Sequence, residues 1–295
     1  MRESAIGTAR APAAVAPRAT RLRGATRAAV LYALLMIGAA IMIVPFLWMI
    51  SSSLKSQFQI FLTPPVWIPN PAIWSNYPDA LNALPFGQAY LNSFIVATIV
   101  VVSTLVTSSM AAYSFARIQF PFRDVLFVLF LAMLMVPIQV TIIPLFLIMK
   151  NLGWVNSLAS IIVPFSLFNA FGVFLLRQFI KGMPIEMEEA AIVDGANRWT
   201  LYWRITLPLI KPALSALAIF TFLGQWNNFF YPLIMLSSPD KFTVPLMLNQ
   251  FRGEYTVDWA LMMAASAIAI IPVLIVYVIG QRYIIEGIAI TGLKG

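Results

Sequence analysis

Cysteine and histidine are both absent from this sequence, and charged residues are scarce. These absences exclude disulfide bonds, thiolate chemistry, the common zinc sites and any histidine proton relay. Asp, Glu, Lys and Arg together make up only 10% of the residues, whereas hydrophobic residues make up 61%. A soluble domain usually contains about 45 to 50% apolar residues. The composition therefore indicates a protein in contact with lipid.

Six long apolar runs recur along the chain, and none of them contains a charged residue. A helix rises about 1.5 Å per residue and the hydrocarbon layer is about 30 Å thick, so about 20 apolar residues can cross it. We therefore predict an all-α, polytopic membrane protein with six transmembrane helices, near residues 28–50, 90–112, 125–149, 157–176, 212–236 and 259–280.

Lysine and arginine are distributed unequally between the two sides of this arrangement. Of the 19 lysine and arginine residues, only four fall opposite the termini: Lys55, Lys150, Lys241 and Arg252. Because cytoplasmic loops retain positive charge, we expect both termini in the cytoplasm. The same bias accounts for the net charge of +8 without a nucleic-acid partner.

The terminal segments differ from the apolar body. Residues 1–27 are rich in Ala, Pro and Arg, which predicts a disordered basic cytoplasmic tail. A cleaved signal peptide is the alternative, but the apolar run that follows is long for a signal sequence. We predict the transmembrane domain at residues 28–283 and a cytoplasmic C-terminal tail at residues 284–295. The aromatic, proline-rich outer loop at residues 51–89 suits either the lipid interface or a docking partner.

The sequence lacks the residues that several classes of membrane protein require. Ion-coupled carriers normally carry an ionisable group within a span, and membrane enzymes need a metal cluster or an activated nucleophile. The segment "GIAITGLKG" at the C-terminus is a poor phosphate loop, because no Ser or Thr follows its lysine. We therefore predict no enzymatic activity in this chain and no cofactor bound by it, so that another subunit would supply the energy.

The cytoplasmic loop at residues 184–208, which we call the coupling loop, concentrates acidic residues. Pro184 followed by Glu186, Glu188 and Glu189 predicts the start of a short helix, because negative charge complements a helix N-terminus. Asp194 and Gly195 predict a turn that ends it. Trp199, Tyr202 and Trp203 then share one helical face, as in a segment lying along a membrane surface. Composition alone would also fit an ordinary solvated loop.

The spacing of particular residues in the coupling loop resembles a sequence motif of a known family. Glu189-Ala190-Ala191 is followed by three residues and Gly195, then by nine residues and Ile205, then by Leu207-Pro208. This is similar to the EAA loop of permease subunits in binding-protein-dependent ABC importers. "LNSFIVA", "AAYSFAR", "MVPIQVTIIPLF", "QWNNFFYPL" and "GLKG" resemble the carbohydrate branch, near the maltose-type and glycerol-phosphate-type permeases. The resemblance covers about residues 30–295, and the basic N-terminal extension departs from it.

The resemblance implies a type I ABC importer permease fold in a bacterial or archaeal cytoplasmic membrane. It implies a second, homologous permease, two ATP-binding cassette subunits that hold ATP and Mg, and an extracytoplasmic sugar-binding protein. In such families the coupling helix fits a cleft on the ATPase. The residues that the resemblance assigns to ATPase coupling are Glu188, Glu189, Ala190, Ala191, Asp194, Gly195, Ile205, Leu207 and Pro208. The tail Gly292, Leu293, Lys294 and Gly295 is expected at the ATPase interface.

Sugar recognition requires amides, hydroxyls and aromatic faces, because sugars present hydroxyls around an apolar ring. The candidates for a substrate pathway are Gln225, Trp226, Asn227 and Asn228, with Asn169 and Gln139 as weaker ones. The alternative role of these residues is hydrogen bonding between helices. The importer could also carry glycerol phosphate or another polar solute, although no span arginine is present to bind an anion. A passive channel or facilitator with a solvated acidic loop is the hypothesis from a different class.

Overall fold

The computed structural model describes residues 18–167, 169–252 and 257–292, with side chains at residues 27–167, 169–252 and 257–282. The chain divides into two compact units, Met1–Ile50 and Ser51–Gly295. Residues 1–17 of the tail predicted at 1–27, and the tail residues Leu293, Lys294 and Gly295, lie outside the described residues. All the contacts discussed below lie within the second unit.

The described residues are predominantly helical, as the sequence predicts. The α-helices are α1 Arg18–Ser53, α2 Gln57–Ile60, α3 Asn76–Ala83, α4 Phe86–Arg117, α5 Arg123–Ala132, α6 Ile138–Asn151, α7 Ala159–Leu167, α8 Ala170–Gly182, α9 Glu186–Val193, α10 Arg198–Thr200, α11 Leu207–Leu209, α12 Lys211–Trp226, α13 Phe230–Met235, α14 Val244–Asn249, α15 Trp259–Ala269 and α16 Ile271–Gly292. Short 3₁₀ helices form at Met133–Met135 and Pro239–Lys241, and a π-helix forms at Leu201–Thr206. Within the described ranges, the β-pairing amounts to an isolated bridge between Arg252 and Val257.

Helix α1 begins earlier than predicted. It starts at Arg18, so residues 18–27, which we assigned to a disordered tail, belong to a helix. Alanine and arginine are strong helix formers, and adding residues to an existing helix needs no new nucleation. The alanine and arginine content of this stretch is therefore compatible with helical structure.

The predicted spans match the structure in part. Four helical segments are long and apolar enough to cross a membrane: Arg27–Ser53, Phe86–Arg117, Ala159–Gly182 and Trp259–Arg282. Two further candidates are bent pairs, Arg123–Met135 with Ile138–Asn151 at 98° and Arg198–Leu209 with Lys211–Trp226 at 74°. The described chain thus has four to six candidate spans, depending on whether each bent pair counts as one.

Proline explains the sharper bend. The run at residues 125–149 is predicted as one transmembrane helix, but it breaks between Met135 and Ile138. Val136 is extended, with φ −80° and ψ 116°, because the ring of Pro137 disfavours the helical conformation of the preceding residue. The run at residues 212–236 is also interrupted, between Trp226 and Phe230, where α12 ends and α13 begins. No proline lies between these two residues.

The long helix α4 runs through both hydrophobic clusters of the second unit. Its N-terminal half contributes Phe86 and Val100 to one cluster, and its C-terminal half contributes Ala112 and Tyr113 to the other. Small residues let its neighbours approach closely: a Cβ added at Gly172 of α8 would lie 2.8 Å from the hydroxyl oxygen of Ser108 on α4. Helix α4 therefore contributes buried residues to both of these clusters.

Candidate functional site

Helix α9, residues Glu186–Val193, forms the predicted short helix of the coupling loop, and we call it the EAA helix. The backbone N–H of Asp194 donates to the carbonyl of Ala190 at 3.1 Å, and that of Ala196 donates to Ala191 at 2.9 Å. Gly195 has a φ of +86°, in the left-handed region that favours glycine. The predicted turn at Asp194 and Gly195 is thus confirmed, and it ends the helix.

Two adjacent glutamates of the EAA helix have opposite environments. The carboxylate of Glu188 accepts a hydrogen bond from Nε of Arg117 at 2.8 Å, with side-chain exposures of 4% for Glu188 and 9% for Arg117. The guanidinium also donates from Nη2 to the carbonyl of Met183 at 2.9 Å. Glu189 is exposed. Glu188 therefore faces the interior of the chain, and Glu189 is available to a partner.

The exposed surface of the EAA helix combines acidic and apolar groups. Glu189 and Ala190 are exposed, whereas Ala191 is half-buried against the chain. Large apolar side chains on the same short segment are also exposed: Ile185, Met187, Ile192 and Val193, the last at 87%. A short helix that presents this much apolar surface next to an acid has the composition of a contact surface.

The aromatic segment that follows the turn packs on α4. The rings of Trp199, Tyr202 and Trp203 lie 5.4 to 5.8 Å apart, which confirms the predicted shared face. Tyr202 is buried, and its hydroxyl lies 2.8 Å from that of Ser109. The two tryptophans remain more than half exposed. Farther along, Ile205 and Leu207 are half-buried and Pro208 is exposed, so these coupling-loop positions differ in access to a partner.

A second arginine supports the same end of α4. Arg177 on α8 donates to the carbonyl of Phe115 at 3.2 Å and lies 3.5 Å from the carboxylate of Asp124. Its guanidinium also stacks 3.8 Å above the ring of Phe127. These contacts join α4, α5 and α8 near the EAA helix.

Four of the predicted pathway residues line one pocket. Gln139, Gln225, Asn227 and Asn228 surround a space of about 520 Å³, which we call the amide pocket. Its other lining residues are Ile138, Phe165, Gly224, Phe229, Phe230 and Tyr231. The amide oxygen of Gln225 is buried and has no hydrogen-bond partner among the described residues. The pocket thus combines amides with aromatic rings, the groups that suit polyhydroxylated solutes.

Trp226 and Asn169 have structural contacts instead. The indole N–H of Trp226 donates to the carbonyl of Ala269 at 3.2 Å, and the ring stacks on Phe222. Asn169 caps α8 by accepting from the N–H of Gly172 at 2.6 Å. It also lines an adjacent pocket of about 230 Å³ that shares Gln225 with the amide pocket. Trp226 therefore packs helices together, whereas Asn169 lies beside the amide pocket.

Sequence reasoning missed the partner of Glu188. Arg117 lies within the quoted motif "AAYSFAR", at the end of a predicted span, and was counted only as a cytoplasmic charge. It is 71 residues from Glu188 along the chain. An arginine directly at the end of a span was the available signal, because it can turn back toward a neighbouring loop.

A family model described as "Binding-protein-dependent transport system inner membrane component" matches residues 103–289. The chain belongs to this family. As an inner membrane component it is a multi-pass membrane protein, and the resemblance drawn from the EAA spacing is confirmed.

This permease also resembles individual curated proteins over most of its length. It is 34% identical over 260 residues to a diacetylchitobiose uptake system permease protein of Streptomyces coelicolor, covering 87% of this chain and 86% of that protein. It is 36% identical over 206 residues to an arabinooligosaccharides transport system permease protein of Bacillus subtilis, covering 70% and 73%.

Solved structures confirm the fold class. The permease superimposes on a chain of a bacterial ABC transporter that imports the acidic polysaccharide alginate, with a TM-score of 0.78 and 25% identity, over 92% of this chain and 99% of that one. A chain from an alginate transporter in complex with an alginate pentasaccharide-bound periplasmic protein matches with a TM-score of 0.64 at 15% identity, and shows the fold alone. The all-α importer permease fold is thus confirmed, with four to six candidate spans.

Proposed function

We propose that this permease forms half of the membrane pathway of an ATP-driven importer for a sugar or oligosaccharide. The EAA helix is the observation that carries this proposal, because it presents exposed Glu189 and apolar side chains while buried Glu188 holds it to the bundle. The pathway would be completed by a second, homologous permease. An extracytoplasmic binding protein would deliver the solute.

Two ATP-binding subunits would dock on the coupling loops of the two permeases and hydrolyse ATP with bound Mg. Exposed Met187 and Val193 would enter an apolar cleft, and Glu189 would pair with a basic residue at its rim. The C-terminal tail Gly292, Leu293, Lys294 and Gly295 would extend this interface. The permease itself would bind no nucleotide, and closure of the ATPase subunits would switch the bundle between inward-open and outward-open forms.

A cytoplasmic position of the coupling loop requires both termini to be cytoplasmic as well. The uneven distribution of lysine and arginine over the loops supports this orientation. The outer loops at residues 51–89 and 237–258 would then face the binding protein.

The chemistry of the amide pocket supports a neutral, polyhydroxylated solute. Amide groups of Gln139, Gln225 and Asn228 line the pocket and can both donate to and accept from hydroxyls. Aromatic rings such as Tyr231 would pack against the apolar face of a sugar. Among the described residues, the lining contains no lysine or arginine, which favours a sugar over an anion such as glycerol phosphate.

Reconstitution of the complete assembly in proteoliposomes tests the proposal. The expected result is uptake of a labelled oligosaccharide that requires both ATP and the loaded binding protein. A panel of neutral di- to pentasaccharides, with glycerol 3-phosphate alongside, identifies the solute class. Uptake by the permease alone, at a rate unaffected by ATP, would instead establish a passive facilitator.

A further inference from the structure

Helix α4 is attached to other parts of the permease at both of its ends. At the C-terminal end, the guanidinium of Arg117 binds the carboxylate of Glu188 and the carbonyl of Met183, which bracket the start of the EAA helix. At the N-terminal end, the side-chain amide of Asn92 donates to the carbonyls of Asp240 and Phe242, both at 2.9 Å.

The ion pair at the EAA helix is far more enclosed than other charge pairs of the described chain. Glu188 and Arg117 are nearly fully buried, whereas the carboxylate of Asp124, paired with Arg123 and Arg177, is 70% exposed. Exposed ion pairs contribute little to stability because water screens them. Breaking a buried ion pair is costly, because it leaves an uncompensated charge in the protein interior. The Arg117–Glu188 contact therefore resists separation.

The outer attachment is similarly enclosed. Asn92 is 3% exposed, and the hydroxyl of the adjacent Ser93 accepts from the backbone N–H of Val244 at 2.8 Å. Between the two attachments α4 is one unbroken helix from Phe86 to Arg117. Because packed helices move as rigid units, a displacement applied at one end reaches the other.

We infer that Arg117 and Glu188 are positioning residues that join the EAA helix to α4, so that α4 carries movement between the coupling loop and the outer segment at residues 240–244. This inference rests on the proposed function. Glu188 acts through Arg117 and not through the ATPase, in contrast to exposed Glu189.

Replacing the glutamate with its neutral isostere tests the inference. The measurements are ATP hydrolysis, oligosaccharide uptake and copurification of the ATPase subunits, all in the reconstituted assembly with its binding protein. Glu188→Gln is expected to keep the subunits together but to lower the solute imported per ATP by about tenfold, a change typical of a coupling free energy. Asp124→Asn, which removes the charge of the exposed carboxylate that pairs with Arg123 and Arg177 near the same end of α4, is the control and should keep the wild-type ratio.

A thiol bridge provides a readout that loss of folding cannot imitate. The natural chain has no cysteine, so Arg117→Cys with Glu188→Cys places two unique thiols in it, provided the partner subunits are cysteine-free. The double variant should import as little solute per ATP as Glu188→Gln does. A bifunctional thiol reagent that spans the two positions should restore the wild-type ratio. An unchanged ratio in Glu188→Gln, or loss of uptake on bridging, would overturn the inference. Absence of ATP-dependent uptake in the wild type would instead overturn the proposed function.

Discussion

The amide of Asn92 lies 2.9 Å from the carbonyl of Phe242, so the first turns of α4 are hydrogen-bonded to the loop that precedes α14. This contact is buried and joins segments 150 residues apart. It is the counterpart, at the other end of α4, of the ion pair between Arg117 and Glu188.

Removing the Asn92 amide should reduce the stimulation of ATP hydrolysis by the binding protein. Asn92→Ala leaves the carbonyls of Asp240 and Phe242 without these donors, so the loop is no longer held to α4. We expect basal ATP hydrolysis to persist and its stimulation by loaded binding protein to fall several-fold. Gln88→Ala is the matched control, because the side chain of exposed Gln88 donates to the side-chain oxygen of Asn92 on its own helix. Equal stimulation in Asn92→Ala and the wild type would refute this prediction.

The hydroxyl of Tyr202 should stabilise the junction between the coupling loop and α4. Tyr202→Phe removes its bond to Ser109, whose own hydroxyl still donates to the carbonyl of Val106 at 3.1 Å. Because Ser109 keeps a hydrogen-bond partner, the free energy of unfolding should fall by about 1 kcal/mol, the usual net contribution of one hydrogen bond. Thermal unfolding of the detergent-solubilised permease measures it. Trp203→Phe, at an exposed ring, should change stability less.

Gly195 should be sensitive to any side chain. Gly195 has a φ of +86°, so Gly195→Ala should lower the free energy of unfolding by roughly 1 to 2 kcal/mol. Gly195→Asn should lower it less, because asparagine tolerates this conformation better. A distorted turn would misplace the EAA helix, so ATP-driven uptake should fall more in the alanine variant than in the asparagine variant. Gly182→Ala is the control, since a Cβ there meets no atom within 4 Å and its φ is not positive. The reverse order of the two Gly195 variants would contradict the explanation.

Gln225 should contribute to solute binding in the amide pocket. Gln225→Ala removes an amide side chain that lines the pocket and should raise the half-saturating concentration of oligosaccharide about tenfold at a fixed amount of binding protein. Subunit assembly should be unaffected. Asn151→Ala, at an exposed helix end, serves as the matched amide control. If both variants leave the concentration dependence unchanged, the amide pocket is not part of the pathway.

The coupling loop was predictable because its signals are local. Pro184, the acids that follow it and Gly195 act within a few residues, and the structure places a helix and a left-handed turn where they indicate. The bend at Pro137 was visible in the sequence as well, but counting apolar residues measures the length of a run and not its straightness. Proline position, and not hydropathy, determines where such a run breaks.

Long-range contacts could not be read in the same way. Glu188 and Glu189 are neighbours with the same charge, and only the packing of α4 decides which of them is buried. The amide pocket likewise brings Gln139, at the start of α6, to Gln225, near the end of α12. No sequence periodicity relates these two helices, so their meeting depends on the tertiary fold.

Cross-linking from the EAA helix tests most directly whether an ATP-hydrolysing subunit drives this permease. Met187 is 45% exposed, and Met187→Cys introduces a unique thiol two residues before Glu189. With a thiol-reactive photoprobe at this position, the assembly is predicted to yield a covalent product with the nucleotide-binding subunit. The same probe at Met135, which is 84% exposed but distant from the coupling loop in sequence, should yield none. Failure of the Met187 probe to label an ATP-hydrolysing subunit in any nucleotide state would contradict the account.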